Sequence, residues 1–456
     1  MNKQVMDLLD AYREDYVATL SRWVRTPSIK GTPEDGAPFG RDVRRMLDLA
    51  MQDAQDMGFR TRIFDGYAGD ATLGPEDQEM IAVLGHLDVV PVGDGWTREP
   101  FGAAVEDGKM YGRGTIDDKG PALAAMFAMK AIREAGIPLH RSIRLILGCD
   151  EESDWQDMDY YCKHAEMPAL GFSPDASFPL INTEKGMLHM FVHAPLSTEG
   201  VQVLEWVTGE RMNVIPGEAR AILAGDASLV NQVRAYAQAT GLPYRAEMTD
   251  RGVCVTAEGI PGHAAYPEGR RNAIGMMLCL LRELGVQGPL RTLADVYGME
   301  TDGTSLGIAC ADEVSGALTC NMGILHIRDG NVYASFDCRV PISADLAALR
   351  KTALDKLSAF TIDECGTKEP HHVPAESELV SSLLGAYHDV TGLPAVAEST
   401  GGGTYAKVLR QGVAFGAAFP DDEDLCHQAN EFVWIDKMIL AAKVYAEALL
   451  RLCAQE

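Results

Sequence analysis

The residues best suited to chemistry are a histidine and several carboxylates that follow apolar stretches of the chain. Apolar runs at residues 80–86, 142–149 and 169–172 are predicted to form buried strands. The polar residues at or just beyond the ends of these runs are His86, Asp88, Glu151, Glu152 and Asp175. In an open α/β sheet, functional sites form outside the carboxyl ends of the strands, so we expect these side chains to converge.

Converging carboxylates repel one another unless a cation neutralises them. A mixed set of histidine, aspartate and glutamate suits zinc, and a bridging carboxylate allows two ions to lie about 3.5–4 Å apart. The segment GRGTIDDKG at 112–120 adds Asp117 and Asp118 to the set. Taken singly, each motif has an alternative: His-x-Asp fits a surface turn, Asp-Asp-Lys-Gly a helix cap, and Glu-Glu a solvated loop. Their order and spacing together favour a metal site.

The elements that must position these residues alternate between strands and helices. A helix is predicted at about 5–26, and a second one over 120–136 with Pro121 at a favoured first position. Near the end of the chain, 414–419 is predicted to be a strand and 432–453 a helix. This alternation indicates an α/β fold class, with a mostly parallel sheet flanked by helices.

The middle of the chain has a different character. From about residue 186 to 370, short strand-like and helical segments follow one another as in an α+β domain. We therefore predict a catalytic domain formed by 1–185 and 371–456, interrupted by an inserted α+β lid domain at 186–370. Insertion of one domain into another is tolerated where the chain ends of the insert lie close together.

Composition and charge exclude several classes of partner. Among 456 residues, 40 Lys and Arg face 66 Asp and Glu, which gives a formal charge of −26 and argues against nucleic acid. No apolar run of 18 residues occurs, so no membrane partner is expected. The first residues lack the pattern of a secretory signal, and the ten cysteines lack the spacing of a disulfide framework. These features predict a cytoplasmic protein with free thiols.

The ordered set of motifs resembles the M20 family of metallopeptidases, and within it the PepV-like (Sapep-type) bacterial dipeptidases. The matching segments span nearly the whole chain. They are GHLDVVP at 85–91, GDGW at 93–96, GTIDDKGP at 114–121, DEESDW at 150–155, PDASFP at 174–179 and CHQANE at 426–431.

The resemblance implies a role for each of these side chains. The ligands of two divalent metal ions would be His86, Asp117 and Asp175 for one ion, and Glu152 and His427 for the other, with Asp117 bridging both. Asp117 is chosen over its neighbour because the family motif places the ligand two residues before Lys-Gly. The metal would be Zn²⁺, although Mn²⁺ and Co²⁺ accept the same ligands.

Two further residues of this domain would complete the catalytic group. Asp88 would accept the second ring N–H of His86 and so fix its tautomer. Glu151 would be the general base, taking a proton from a water molecule held between the two metals and passing it to the leaving amine.

The lid would contribute the residues that hold the substrate. In GHAAYP at 262–267, His263 would be the oxyanion donor, with Asn213 nearby, and Arg339 would bind the substrate carboxylate as a fork. The alternative for His263 is a structural role, and the alternative for Arg339 is an ion pair at the surface. Gly401, Gly402 and Gly403 open a predicted helix, where backbone N–H groups suit a carboxylate of the substrate backbone. The spacing of these glycines fits neither the P-loop nor the dinucleotide-binding fingerprint, which argues against a nucleotide site.

The predicted function is metal-dependent hydrolysis of the amide bond in dipeptides with a free N-terminus, so the partner is a small peptide substrate. The predicted assembly is a monomer or a homodimer. One alternative is a succinyl-diaminopimelate desuccinylase or an N-acyl amino acid deacylase of the same family, which would differ in the acyl pocket. Another is a non-catalytic metal- or peptide-binding protein, although a binder has no need of a base such as Glu151 beside its ligands.

Overall fold

The computed structural model describes residues 1–76 and 78–454, which divide into two compact units. The first unit is built from Met1–Asn182, His372–Glu398 and the segment that begins at Gly403. The second unit is built from Thr183–His371 and Ser399–Gly402. The domain boundaries predicted at 185/186 and 370/371 stay a prediction. The short segment Ser399–Gly402 clusters with the second unit, and no sequence signal indicated this.

The first unit contains a sheet whose central strands are parallel. Six strands lie side by side in the order Arg60–Phe64, Ala68–Leu73, Ser142–Gly148, Met80–His86, Leu170–Ser173, Gln411–Ala414. The last four are parallel to one another, whereas the first two form an antiparallel hairpin at the edge. The predicted α/β fold class is therefore confirmed.

Both faces of this sheet are covered, which explains why its strands are apolar throughout. Ile81 and Val83 belong to one buried cluster, and Ala82 and Leu84 belong to another on the opposite face, because successive side chains of a strand alternate. The helices of this unit are Lys3–Ala11, Arg13–Val24, Arg41–Asp56, Lys119–Glu134, Gln156–His164, Glu378–Thr391 and Ile435–Cys453, with a 3₁₀ turn at Tyr405–Val408. Its short strands include Ala104–Glu106, Lys109–Tyr111, Ala176–Ser177, Ala417–Ala418 and Phe432–Trp434.

Several predicted elements differ from the observed ones. The helix predicted to begin near Pro121 begins at Lys119, whose buried ammonium donates to the main-chain oxygens of Trp23 and Thr26. The strand predicted at 414–419 is interrupted, since Gly416 adopts a φ of 82°. The C-terminal helix begins at Ile435 rather than at residue 432.

The second unit is an α+β unit with an antiparallel sheet, as predicted for an inserted domain. Eight strands follow the order Tyr244–Thr249, Gly252–Glu258, Glu218–Leu223, Val203–Thr208, Leu325–Arg328, Asn331–Val340, Gly186–Pro195, Thr361–Lys368, and Thr319–Asn321 also pairs with Asn331–Val340. Its helices are Ala227–Thr240, Ala273–Glu283, Pro289–Val296 and Leu346–Lys356, and its short strands include Val214–Ile215, Gly262–His263, Ala311–Asp312 and Gly316–Ala317. Within the described residues of both units, no helix is long and apolar enough to span a membrane.

Candidate active site

The predicted ligands of the first unit meet at one edge of its sheet. His86 is the last residue of the strand Met80–His86. Glu151 and Glu152 follow the neighbouring strand Ser142–Gly148, and Asp175 follows Leu170–Ser173. Because these strands are parallel neighbours, their carboxyl ends lie at the same edge, which places the acidic residues together.

Asp117 lies between two histidines at this edge. Its Oδ1 atom is 3.0 Å from Nε2 of His86, and its Oδ2 atom is 3.1 Å from Nε2 of His427. His86 Nε2 also lies 3.5 Å from Oδ2 of Asp175, and His427 Nε2 lies 2.9 Å from Oε2 of Glu152. The five predicted ligands thus form two sets that share one carboxylate.

The geometry of these sets fits divalent cations. Ligand atoms bound to one zinc ion at 2.0–2.1 Å in a tetrahedron lie about 3.3 Å from one another. The contacts of His86 with Asp117 and Asp175, at 3.0 and 3.5 Å, are close to this spacing. Ligand atoms of His86, Glu151 and Asp175 also lie within 4.8 Å of one another. Imidazole and carboxylate ligands of this kind accept zinc, manganese and cobalt.

Burial and mutual repulsion shift the pKa values of the acidic groups. Burial, together with the charge of Asp175, raises the pKa of Glu151 well above its usual value. Burial and the charge of Asp117 raise the pKa of Glu152 to about 7. Burial alone would also raise the pKa of Asp117, but hydrogen bonds from His427 and His86 bring it below its usual range. The opposite shifts follow from burial, which raises the pKa of a carboxylate, and from hydrogen bonds with the histidines, which lower it.

Asp88 lies beside the ring of His86 with both its main chain and its carboxylate, and its role toward the tautomer stays a prediction. The nearest acceptor of His86 Nδ1 is the main-chain oxygen of Asp88 at 3.0 Å, whereas the Asp88 carboxylate lies 3.4 Å away. This carboxylate accepts hydrogen bonds from the main-chain N–H groups of Glu151 and Glu152, each at 3.1 Å. Asp88 therefore also holds the loop that carries the predicted base, which the sequence did not indicate.

Two other buried carboxylates support the site through contacts that the sequence did not predict. Asp118 accepts the main-chain N–H of His86 at 3.1 Å. Asp157 accepts the N–H groups of Cys149 and Asp150 at 2.6 and 2.9 Å, just before Glu151. The sequence indicates Asp118 either as one of the converging carboxylates or as a helix cap, and nothing in it distinguishes Asp157 from a solvated residue of the helix Gln156–His164.

The second unit contains the remaining predicted residues, apart from Gly403. Strand Gly262–His263 pairs with Val214–Ile215, and the main-chain oxygen of Asn213 accepts the N–H of Ala264 at 2.9 Å. His263 Nδ1 lies 3.2 Å from the main-chain N–H of Ala265 that donates to it. The structure therefore brings His263 beside the strand that Asn213 directly precedes, and the roles of both residues stay a prediction.

Arg339 is buried rather than part of a surface ion pair. It is 5% exposed, and its Nη2 donates to Oδ2 of Asp337 at 2.8 Å. Its Nη1 donates to the main-chain oxygen of Gly401, also at 2.8 Å. The guanidinium is therefore fixed by an acid from its own strand and by the predicted glycine segment.

The glycine segment does not begin a helix of useful length. Gly401, Gly402 and Gly403 precede only the four-residue 3₁₀ turn Tyr405–Val408, so the prediction of a helix N-terminus is wrong. The N–H of Gly402 donates to Oγ1 of Thr400 at 3.0 Å. Gly401 and Gly402 belong to the second unit and Gly403 to the first. Any role in substrate binding must come from local backbone groups rather than from a helix dipole.

Comparison with known proteins gives matches along most of the chain. The sequence profile described as "Peptidase family M20/M25/M40" matches residues 82–451. The protein YtjP of Bacillus subtilis (strain 168) is 36% identical over 454 residues, which cover 96% of this chain and 97% of that protein. The Beta-Ala-Xaa dipeptidase of Lactobacillus delbrueckii subsp. lactis is 34% identical over 430 residues, covering 92% of this chain and 91% of the relative.

Two solved structures have the same fold. Human carnosine dipeptidase 1 superposes with a TM-score of 0.59 at 16% identity, covering 99% of both chains. The di-peptidase Dug1p of Saccharomyces cerevisiae superposes with a TM-score of 0.60 at 14% identity, covering 98% of both chains.

Proposed function

Because the chain belongs to peptidase family M20/M25/M40, and is therefore an enzyme, we propose that it is a metal-dependent dipeptidase acting on dipeptides with a free N-terminus. The Lactobacillus relative that is 34% identical over nearly its full length is named for Beta-Ala-Xaa dipeptides, which supports this substrate class. The substrate is then a small peptide.

The ten cysteines, all within the described residues, are free thiols, which supports a reducing compartment such as the cytoplasm.

The observation that carries the proposal is the placement of Asp117. One of its oxygens lies 3.0 Å from His86 and the other 3.1 Å from His427. A carboxylate with each oxygen facing a different histidine suits two cations better than one. We propose that His86, Asp117 and Asp175 hold the first cation, and that Asp117, Glu152 and His427 hold the second. Two such ions, which we propose to be zinc, would polarise the scissile carbonyl and lower the pKa of a water molecule.

Glu151 is proposed to move the proton. Its main-chain N–H is bonded to Asp88, and its main-chain oxygen accepts the indole N–H of Trp155 at 2.8 Å. The backbone of the residue is thus held at both its N–H and its carbonyl, while the carboxylate lies beside His86 and Asp175. In this position its Oε atoms can take a proton from water and return it to the nitrogen of the leaving amine.

The second unit is proposed to recognise the substrate. Arg339 is oriented by Asp337 and Gly401, and its Nε has no hydrogen-bond partner among the described residues. A guanidinium held in this way retains N–H donors that can bind a free C-terminal carboxylate. We propose that His263 donates to the developing oxyanion, and that Asn213 and the segment 401–403 contact the substrate backbone.

The test is to measure metal content and substrate range together. The purified enzyme is stripped with a chelator, analysed for bound metal, and assayed after addition of Zn²⁺, Mn²⁺ or Co²⁺. The substrate panel contains dipeptides, the same dipeptides with an acetylated N-terminus, tripeptides, and N-acyl amino acids including N-succinyl-diaminopimelate. We expect metal-dependent cleavage of free dipeptides. Preferential cleavage of N-acyl or N-succinyl substrates, or turnover unaffected by the chelator, would refute the proposal.

A further inference from the structure

Arg113 and Glu431 form an ion pair in the interior of the first unit. Nη1 of Arg113 lies 2.7 Å from Oε2 of Glu431, and the two residues are 1% and 0% exposed. Removing two charges from water is costly, so such a pair is retained only where further hydrogen bonds satisfy its polar atoms. Several further side-chain bonds of this pair go to main-chain groups in loops around the proposed metal site, while Arg113 Nε has no hydrogen-bond partner among the described residues.

Arg113 connects two of these loops through main-chain oxygens. Its Nη2 donates to the oxygen of Val92 at 3.2 Å, in the segment that follows His86 and Asp88. Its Nη1 donates to the oxygen of Gln428 at 3.3 Å, the residue after His427. The guanidinium plane therefore lies between the loop beyond the first histidine and the loop that carries the second.

Glu431 connects the His427 loop to a third segment. Its Oε1 accepts the main-chain N–H of Ile116 at 3.0 Å, directly before Asp117. Its main-chain oxygen accepts the N–H of Gly112 at 2.9 Å. The pair thus joins the segment of the bridging carboxylate to the segment of His427.

The two histidines depend on this pair to different degrees. His86 ends a central strand, is fully buried, and is bonded to Asp118 through its main-chain N–H. His427 lies between the short strands Ala417–Ala418 and Phe432–Trp434, has a φ of 64°, and has a side chain that is 42% exposed. A ring on such a loop is positioned by whatever fixes the loop, and the buried pair bonds this loop at Gln428, the residue after His427.

We infer that Arg113 and Glu431 are positioning residues that set the metal affinity of the Glu152–His427 position while leaving the His86–Asp175 position nearly unchanged. This inference rests on the proposed function, since it assumes two metal positions. Loss of a residue that orients a metal ligand typically weakens metal affinity by about 10- to 100-fold. We expect a loss of this size for one metal equivalent only.

The experiment is a calorimetric titration of the full-length, metal-free enzyme with Zn²⁺. Glu431→Gln keeps the size of the side chain and an acceptor for the N–H of Ile116 but removes the negative charge. Arg113→Lys keeps the positive charge but removes the two Nη groups that contact different loops. The wild-type enzyme should bind two equivalents. In each variant one equivalent should weaken by about 10- to 100-fold, and the other should stay within about threefold. Absorption spectra of the cobalt-loaded proteins report the same change without calorimetry.

The matched control is Arg62→Lys, which alters the ion pair of another fully buried acid, Asp70, at the edge hairpin of the same sheet. Both equivalents should be unchanged in this variant. Thermal unfolding of each metal-free protein checks that it is folded, and Arg113→Lys is decisive if Glu431→Gln does not fold. Equal weakening of both equivalents, or of neither, in a folded variant overturns the inference. A wild-type enzyme that fails to bind two equivalents instead overturns the proposed function on which the inference rests.

Discussion

His86 and His427 face the two oxygens of the same aspartate, yet the chain holds them in different ways. His86 is the end of a parallel strand between two other strands, so the backbone ladder fixes its Cα position. His427 lies on a loop and depends on side chains, mainly the Arg113–Glu431 pair, for its position. One proposed metal position therefore lies at the end of a strand of the sheet, and the other is formed by loops. We expect the loop-borne position to be the one that responds to mutation at a distance.

The largest effect is expected from the variant that tests whether the two proposed metal positions serve hydrolysis. Glu151→Gln removes the proposed base but neither histidine, so we expect kcat to fall by about 10²–10⁴-fold while two metal equivalents remain bound. The measurement is kcat on a dipeptide together with metal content per chain. Asp154→Asn is the control, because Asp154 lies in the same loop with a side chain that is 66% exposed. A kcat for Glu151→Gln within tenfold of the wild type would reject the base assignment.

The next prediction compares the two histidines directly. In the metal-free protein, His86→Ala leaves the carboxylates of Asp117 and Asp175 without their buried partner, so we expect the free energy of unfolding to fall by about 3 kcal/mol. His427→Ala removes a half-exposed contact and should cost about 1 kcal/mol or less. Urea denaturation of both variants in chelator measures the difference. A larger loss of unfolding free energy in His427→Ala than in His86→Ala would show that the loop, not the strand end, stabilises the site.

A third prediction separates substrate binding from both metal positions. Arg339→Lys loses the guanidinium fork, and hydrogen bonds to charged groups contribute about 1.5–3 kcal/mol, so KM for dipeptides should rise about 10- to 100-fold. We expect kcat to change by less than about threefold and the two metal equivalents to be retained. Dipeptide amides, which lack the carboxylate, should be cleaved with equal KM by both proteins. An unchanged KM for free dipeptides would remove Arg339 from the proposed binding site.

The smallest effect concerns the outer contact of the His427 loop. Asn430 has a φ of 60°, and its Oδ1 accepts hydrogen bonds from the N–H and the hydroxyl of Thr97, both at 2.9 Å. Asn430→Gly keeps the backbone conformation accessible but loses these bonds. We expect a loss of about 1 kcal/mol, or about fivefold, in the metal affinity of the Glu152–His427 position. A larger loss than that of Glu431→Gln would mean that this outer contact, rather than the buried pair, positions the loop.

Much of the first unit could be predicted from local pattern. The strand at 80–86 coincides with the observed Met80–His86, because a continuous apolar run bounded by polar residues suits a strand that is covered on both faces. The glycine segment at 401–403 was wrongly predicted to begin a helix, because a Gly-rich turn before apolar residues resembles a helix start. The observed chain instead turns at Tyr405–Val408 and enters the strand Gln411–Ala414.

The positions of the supporting residues could not be predicted in the same way. Asp118, Asp157 and Glu431 are acidic residues whose local sequence fits an exposed loop or a helix start, yet each is fully buried. Their function depends on which main-chain N–H groups lie opposite them, and those groups belong to segments distant in the chain.

The amino-acid sequence by itself determined the alternation of strands and helices, the order of the acidic motifs, and the family whose members share them. Only the tertiary structure decided that the two oxygens of Asp117 face different histidines. It also decided that the Arg113–Glu431 pair contacts the loop of His427. The reason is physical. Periodicity and residue type indicate which side chains of a segment are buried and which are exposed. The proximity of His86 and His427, which are 341 positions apart, depends instead on how the folded segments pack.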